Sequence, residues 1–316
     1  MQIEEELAHI APQKETLFTI GVFDGVHLGH RFLITRLITE ARENGLLSGV
    51  LTFKSHPQTV LNPGNAIALV DDLEHRIVLL KGLGVDIVIA LSFTREISRL
   101  HPREFVTLLK NYLKIQGLII GPDFALGKDR EGGANQLNSL GMEMGFSVEK
   151  MPPFILDGEV VSSSSIRKAL TEGNIGKVNR FLGRPFGLSG KMVPGDRRGR
   201  ELGFPTANMD INNEQAIPAD GVYATITRID HEPLPSVTNI GLRPTFGGTH
   251  RTVETYIIDY AGDVPDKIIR VEFISRLREE KRFDTADALI KQIQKDVQQA
   301  RVILVQLTGA AKQVKD

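Results

Sequence analysis

The residues best placed to do chemistry stand near the N-terminus, in Gly21-Val-Phe23-Asp24-Gly25-Val-His27-Leu-Gly29-His30. An apolar, β-rich run, Leu17–Phe23, leads into them and a helical pattern follows. The start of a helix presents orphan backbone N–H groups and the positive end of its dipole, so it favours an anion. A glycine there lets a phosphate approach the backbone. Two imidazoles beside it can donate hydrogen bonds to phosphoryl oxygens as charge develops in a transition state. The glycines lack the G-x-G-x-x-G spacing of a dinucleotide fingerprint. The segment from Gly121 to Gly127-Lys128-Asp129 has one residue too many for a Walker A loop and no final Ser or Thr. The competing reading of His27 and His30 is a surface pair, or half a metal site completed by His56 or His101.

A second group lies in the serine run Ser162-Ser163-Ser164-Ser165, just before Ile166-Arg167. Hydroxyls at a helix start bind phosphate, and Arg167 adds a charge-assisted fork. A linker or a simple helix cap is the plainer reading. A third group is Pro205-Thr206-Ala-Asn208, downstream of Gly195 and Gly199 among Arg197, Arg198 and Arg200. Thr206 and Asn208 supply a hydroxyl and an amide oxygen, hard ligands suited to Mg²⁺ beside phosphates. The glycines and arginines read either as a cationic flap over phosphates or as a solvated turn. Glu254, in Val253-Glu254-Thr-Tyr256-Ile-Ile258-Asp259, shares a strand face with Tyr256 and Ile258. A carboxylate among such neighbours is either an edge residue or a placed base.

Two kinds of element must position these groups. Up to about residue 184, strand-like runs (Leu17–Phe23, Gly49–Phe53, Val85–Leu91, Leu118–Gly121) alternate with helical patterns. Leu33, Leu37 and Ala41 carry one helix towards Gly45, another lies near Leu73–Leu83, and Pro102 opens a third running to Leu113. That order predicts a doubly wound parallel sheet covered on both faces. After Arg184-Pro185 the chain changes to short strands, Val222–Ile229, Thr252–Asp259 and Ile268–Ile274, with turn-rich pieces such as Arg243-Pro244-Thr245-Phe246-Gly247-Gly248. A small antiparallel barrel or sandwich is expected there. A final helix follows, with Asp284 as its N-cap and Leu289, Ile293, Val297 and Ala300 on its apolar face. The fold class is therefore α/β, with domains expected at 1–184 and 185–316.

Composition narrows the function classes. With 316 residues, 41% apolar and 24% charged, the chain is an ordinary globular one of two-domain size. Basic and acidic residues number 38 and 39, giving a net charge of −1, which disfavours a general nucleic-acid or membrane-surface partner. No cysteine is present, so disulfides, thiolate metal sites and a cysteine nucleophile are all excluded. No apolar run is long enough to span a bilayer, and the acidic start MQIEEELAHI is unlike a signal peptide. A cytoplasmic location is expected.

The decapeptide Gly21–His30 resembles the nucleotidyltransferase signature of the bacterial bifunctional riboflavin kinase/FAD synthetases. Further matches follow in order: Thr52-Phe53 with His56-Pro57, Gly121-Pro-Asp123-Phe124-Ala-Leu-Gly127-Lys-Asp-Arg130, and Val161–Arg167. Gly190–Asn208 resembles the flavokinase signature ending in P-T-A-N. Gly221-Val-Tyr223-Ala, Asn239–Thr245, Val253–Asp259 and Arg270-Val-Glu-Phe continue the likeness over nearly the whole chain. The resemblance implies phosphorylation of riboflavin by ATP to FMN, then transfer of AMP from a second ATP to FMN, giving FAD and pyrophosphate. It implies that His27 and His30 stabilise the adenylyl transition state. Gly21, Phe23, Asp24, Gly29, Ser162, Ser163, Ser164 and Arg167 would hold that ATP, and His56, Asp123 and Arg130 the FMN.

In the second half it implies Glu254 as the base for the ribityl 5′-hydroxyl. Gly195, Arg200, Thr206, Asn208 and Arg243 would contact nucleotide or flavin, and Thr206 and Asn208 would hold Mg²⁺. The expected partners are riboflavin, FMN and ATP, with neither nucleic acid nor membrane, for a monomer or weak homo-oligomer. The sequence departs from the family at Val22, often Asn, and at Ser164-Ser165, where Thr-Arg is usual. Leu126 replaces an aromatic, and 261–266 replaces an Asp-Leu-Tyr-Gly loop. Two rival functions remain: an adenylyltransferase of another substrate fused to a flavin-binding module, and a non-catalytic flavin-responsive regulator.

Overall fold

The computed structural model describes residues 2–65, 67–128, 131–194, 199, 202–212, 214–230, 232–245, 248–260 and 268–313, leaving out the side chains of 194, 243–245, 248–250 and 306–313. The chain divides into two compact units, Met1–Ser163 and Ser164–Asp316.

In the first unit, β1 (Thr16–Ile20), β2 (Leu47–Phe53), β3 (Ile87–Leu91), β4 (Ile115–Ile120) and β5 (Ser147–Lys150) form a five-stranded, all-parallel sheet ordered β3-β2-β1-β4-β5. Alternate side chains serve opposite faces. Phe18, Leu51, Leu118 and Ile120 pack in one apolar cluster with Leu7, Phe105, Leu109 and Leu137. These come from α1 (Gln2–Ala8), α6 (Pro102–Leu113) and α7 (Ala134–Met144). Leu17, Val50 and Ile119 pack in the other with Leu33, Ile34, Leu37 and Leu80, from α2 (Leu28–Glu43) and α4 (Leu73–Gly82). Short helices α3 (Pro57–Leu61) and α5 (Arg95–Arg99) follow β2 and β3. A two-stranded hairpin, β6 (Ile155–Leu156) and β7 (Glu159–Val160), turns through Asp157 and Gly158, both with positive φ.

Helix α8 (Ser163–Thr171) begins on the last residue of the first unit and runs into the second, where α9 (Ile175–Leu182) follows. A closed six-stranded barrel follows, made of β8 (Phe186–Pro194), β9 (Ala207–Ile211), β10 (Gly221–Ile229), β11 (Glu232–Thr245), β12 (Gly248–Ile257) and β13 (Ile268–Arg278). Its order is β10-β11-β12-β9-β8-β13, with every pair antiparallel. The expected α/β class, doubly wound sheet and small barrel are all present. Asn179 on α9 ties helix to barrel: its amide donates to Phe273 O at 2.9 Å and accepts from Phe186 N at 2.8 Å.

Inside the barrel, hydroxyls stack between strands. Thr225 bonds Thr238 at 2.8 Å, Thr238 bonds Thr255 at 3.0 Å, and Thr227 bonds Ser236 at 2.8 Å, all fully enclosed. Outside, Val222, Ala224, Val237 and Ile258 pack with Ala300 and Leu304 of the terminal helix α10 (Ala286–Gln313).

Two local expectations are corrected. Thr285, not Asp284, caps α10: its hydroxyl accepts from Ala288 N at 3.2 Å. Residues 243–245 and 248, read as a turn, are strand ends of β11 and β12, because the hairpin pairing continues to Thr245↔Gly248. Among the described residues, no helix is long and apolar enough to cross a membrane.

Candidate functional site

β1 turns directly into the candidate phosphate turn. The chain leaves β1 for β2 and β3 on one side, and β4 and β5 lie on the other. The carboxyl ends of β1 and β4 therefore flank the point where strand order reverses, the usual crevice for ligands in such sheets. The turn is held in an uncommon conformation: φ is +51° at Phe23, +81° at Gly25 and +35° at Val26. A β-branched residue there is strained, and the turn persists because Phe23 and Val26 are buried and its carbonyls are bonded. Thr52 Oγ1 donates to Val22 O at 2.9 Å and Ser163 Oγ to Asp24 O at 2.9 Å. The Asp24 carboxylate faces inward, accepting from Val70 N at 2.8 Å and Asp71 N at 3.4 Å.

His27 is the N-cap of α2, its Nδ1 accepting the His30 N–H at 3.3 Å. An accepting Nδ1 puts the proton of the neutral ring on Nε2. The two imidazoles stack with centroids 3.6 Å apart, and Phe23 meets the His30 ring edge-on at 5.1 Å. Gly29 permits this: a Cβ there would sit 3.2 Å from the His27 ring and 3.1 Å from Val161 O. The expected pair of imidazoles at a helix start is thus assembled.

A cleft of about 610 Å³ opens at the same end of the sheet. Gly21 and Val22 after β1, His56 after β2, Phe93 after β3 and Asp123 after β4 contribute to it. Phe53, Phe93, Phe105 and Phe124 contribute four rings to its lining, among polar groups that include His56, Arg99, Asp123 and Lys128, a mix suited to a flat heterocycle. His56 caps α3 through its Nδ1, which accepts from Gln58 N at 3.1 Å. Neither His27 nor His30 lines the cleft, whose wall ends at Val22 on that side. Ser162 lies just before α8 and Ser163 is its first residue. Ser164 and Arg167 stand further along α8, in the second unit. Arg130 lies outside the described residues.

In the barrel, register brings the second set together. Asn208 on β9 stands opposite Glu254 on β12, which stands opposite Asn239 on β11, which in turn faces Val222 on β10. Directly opposed residues share a face. This is the outer face, because Val253 and Thr255 on either side of Glu254 are buried within. Thr206, Asn239, Thr252 and Glu254 line a cavity of about 380 Å³ with Val222, Val237 and, from α10, Leu289 and Ile293. The Asn208 Oδ1 is buried without a hydrogen-bond partner among the described residues. An orphaned amide oxygen beside a carboxylate, two residues from the Thr206 hydroxyl, fits a hard divalent cation. Among the described residues, no cluster of three His, Asp or Glu offers a different metal site.

Arg278, opposite Val222 on β13, makes a bidentate pair with Asp296 of α10, with Nη2–Oδ2 at 2.8 Å. Both side chains are largely buried and both line this cavity. Gly195 and Arg200, the side chain of Arg243 and the loop 261–266 fall outside the described residues. Asn239, Arg278 and Asp296 were not read as site residues. Asn239 stood in a recognised segment, but only strand pairing puts it opposite Glu254.

The FAD synthetase family profile matches residues 9–165 and the riboflavin kinase profile residues 182–304. The chain is 38% identical over 293 residues, 92% of its length and 93% of the relative's, to the bifunctional riboflavin kinase/FMN adenylyltransferase of Escherichia coli (strain K12). This chain belongs to the bifunctional riboflavin kinase/FMN adenylyltransferases. The Pseudomonas fluorescens member of that family is also 38% identical, covering 96% of this chain and 98% of its own. Among solved structures, one titled as a macrolide-efflux protein from Streptococcus pneumoniae matches with TM-score 0.85 at 28% identity, over 92% of this chain and 95% of that one. In riboflavin kinase/FMN adenylyltransferase terms, the histidine turn and aromatic cleft fall within the FAD synthetase match. The Asn208–Glu254–Asn239 row falls within the riboflavin kinase match.

Proposed function

We propose that the chain carries out two consecutive transfers with separate sets of residues, the adenylyl-transfer motifs within 1–184 and the kinase motifs within 185–316. In the barrel, Glu254 takes the proton from the 5′-hydroxyl of riboflavin as that oxygen attacks the γ-phosphorus of ATP. The bond to the ADP oxygen breaks, and FMN and ADP result. Thr206 and Asn208 hold Mg²⁺, which when bound neutralises phosphate charge. Asn239 and Asn208 flank Glu254 and orient the hydroxyl it deprotonates. Gly195, Arg200 and Arg243 contact nucleotide or flavin.

In the first unit, a phosphate oxygen of FMN attacks the α-phosphorus of a second ATP, and the bond to pyrophosphate breaks. No covalent nucleophile on the protein is needed. His27 and His30 donate to the α-phosphoryl oxygens as charge builds. Gly21, Phe23, Asp24 and Gly29 shape the turn on which ATP rests, and Ser162, Ser163, Ser164 and Arg167 are assigned to its phosphates. The isoalloxazine lies in the phenylalanine-lined cleft, with His56, Asp123 and Arg130 near the flavin phosphate. The enzyme is placed in the cytoplasm as a monomer or weak homo-oligomer acting on small molecules, not on nucleic acid or membranes.

The observation that carries this reading is the pairing of each matched family with its own built site. His30→Ala tests it. FAD formation from FMN falls by on the order of 10²–10³ while riboflavin phosphorylation stays near the parent rate. Equal loss of both activities in a folded variant refutes the assignment.

A further inference from the structure

The largest fully enclosed side chain among the described residues is a charged one, Arg76 of α4. Among the described residues, no carboxylate is hydrogen-bonded to its guanidinium. It donates instead to two backbone carbonyls, Nη1 to Val22 O at 2.7 Å and Nη2 to Phe53 O at 3.0 Å. Those carbonyls follow β1 and end β2, and Val22 and Phe53 both line the aromatic cleft. Burial pushes the Arg76 pKa down, opposed by the charges of Asp24, Asp71 and Asp72. A buried cation spent on carbonyls is costly unless it fixes something that weaker donors cannot.

What it fixes is the strained turn. In a planar trans peptide, C=O and N–H point in opposite directions. Turning the Val22 carbonyl onto the buried guanidinium therefore turns the Phe23 N–H away from it. Phe23 itself has φ of +51° and packs edge-on against the His30 ring. The orientation of one peptide thus sets both an amide donor and the wall against which His30 rests. Thr52 supplies a second, neutral donor to the same carbonyl. The planar fork of arginine spans two strand ends at once, which a lysine ammonium does not do in the same geometry.

We infer that Arg76 is a positioning residue for adenylyl transfer: it locks the carboxyl ends of β1 and β2 together and so pre-forms the Gly21–His30 turn around the α-phosphate. The inference rests on the reading of that turn as the adenylyl-transfer site.

The test uses the full chain, because its riboflavin kinase activity reports intact protein in the same sample. Arg76→Met and Arg76→Lys are assayed for FMN-to-FAD turnover, with kcat and the KM for ATP separated, alongside circular dichroism and kinase rate. The expected result for Arg76→Met is an adenylyl-transfer kcat lower by roughly 10²-fold, since small misplacements of reacting groups cost that much. The ATP KM changes far less, the kinase rate is kept, and Arg76→Lys recovers only part of the loss. Folded variants with FAD turnover within threefold of the parent overturn the inference. If neither variant folds, Thr52→Val decides, since it removes the other donor to Val22 O. A fall of roughly fivefold in adenylyl-transfer kcat supports the inference, and an unchanged kcat overturns it. His30→Ala in the same series separates the two failures. An active His30→Ala removes the site reading and this inference with it, whereas an inactive His30→Ala beside an active Arg76→Met removes this inference alone.

Discussion

Cutting the chain at two nearby points has opposite outcomes, and α9 supplies the magnitude. Ile175, Val178, Phe181 and Leu182 of that helix are all at most 1% exposed. At roughly 1.5–3 kcal/mol for each fully buried side chain, their removal withdraws about 6–12 kcal/mol, an upper value because unfolded chains already bury some surface. The bonds of Asn179 to Phe186 N and Phe273 O are lost as well. Whole domains are stable by only about 5–15 kcal/mol, so a fragment starting at Pro185 has little left. A fragment starting at Ser164 keeps α9 and the whole second unit. Both are produced and followed by circular dichroism on heating and by FMN formation from riboflavin and ATP. The 164–316 fragment melts cooperatively and phosphorylates riboflavin, and the 185–316 fragment shows no cooperative transition at 25 °C and negligible turnover. Matching melting curves and rates for the two fragments would refute the reasoning, since α9 would then add nothing to the barrel.

Three further outcomes follow from the second unit. Glu254→Gln keeps size and cross-strand neighbours but removes the base, lowering kinase turnover by roughly 10²–10⁴-fold with FMN adenylylation unaffected, as resolved by chromatography of FMN and FAD. Asn208→Ala lowers kinase turnover and raises the Mg²⁺ concentration needed for half-maximal rate; unchanged Mg²⁺ dependence means that Asn208 is structural only. Asp296→Ala strands Arg278 without its buried partner and destabilises the second unit by about 3–5 kcal/mol in denaturant unfolding of the 164–316 fragment. Replacing both residues by apolar ones costs much less.

Legibility in the sequence followed the range of the interactions. The helix of α2 and the strands β1 to β4 could be read because their apolar periodicity is local and strong. The histidine turn could be read because all its members lie within ten residues. Short or amphipathic pieces were missed: α1 has only Ile3 and Leu7 to bury, and β11 carries Pro233, Pro235 and Pro244, which disguise a strand. The role of α9 was missed because its apolar stripe is satisfied only by strands distant in sequence. Arg76 gave no signal at all, since a single arginine in a helical stretch reads as solvated until the strand ends are seen around it. Asn239 opposite Glu254 is likewise a product of register, which no local pattern encodes.

The stack of hydroxyls at the centre of the barrel limits how this half of the molecule can diverge. Side chains alternate along β12, so losing or gaining one residue within it would exchange Glu254 with Thr255. A carboxylate would then enter a sealed interior and a hydroxyl would take its place outside. Thr238, facing Thr255 across the ladder, would lose one of its two hydroxyl partners in the same event and keep Thr225. A single-residue insertion or deletion within β9, β11 or β12 that is not absorbed by a bulge therefore damages packing and chemistry together. The connecting segments are where a change of length leaves this frame undisturbed.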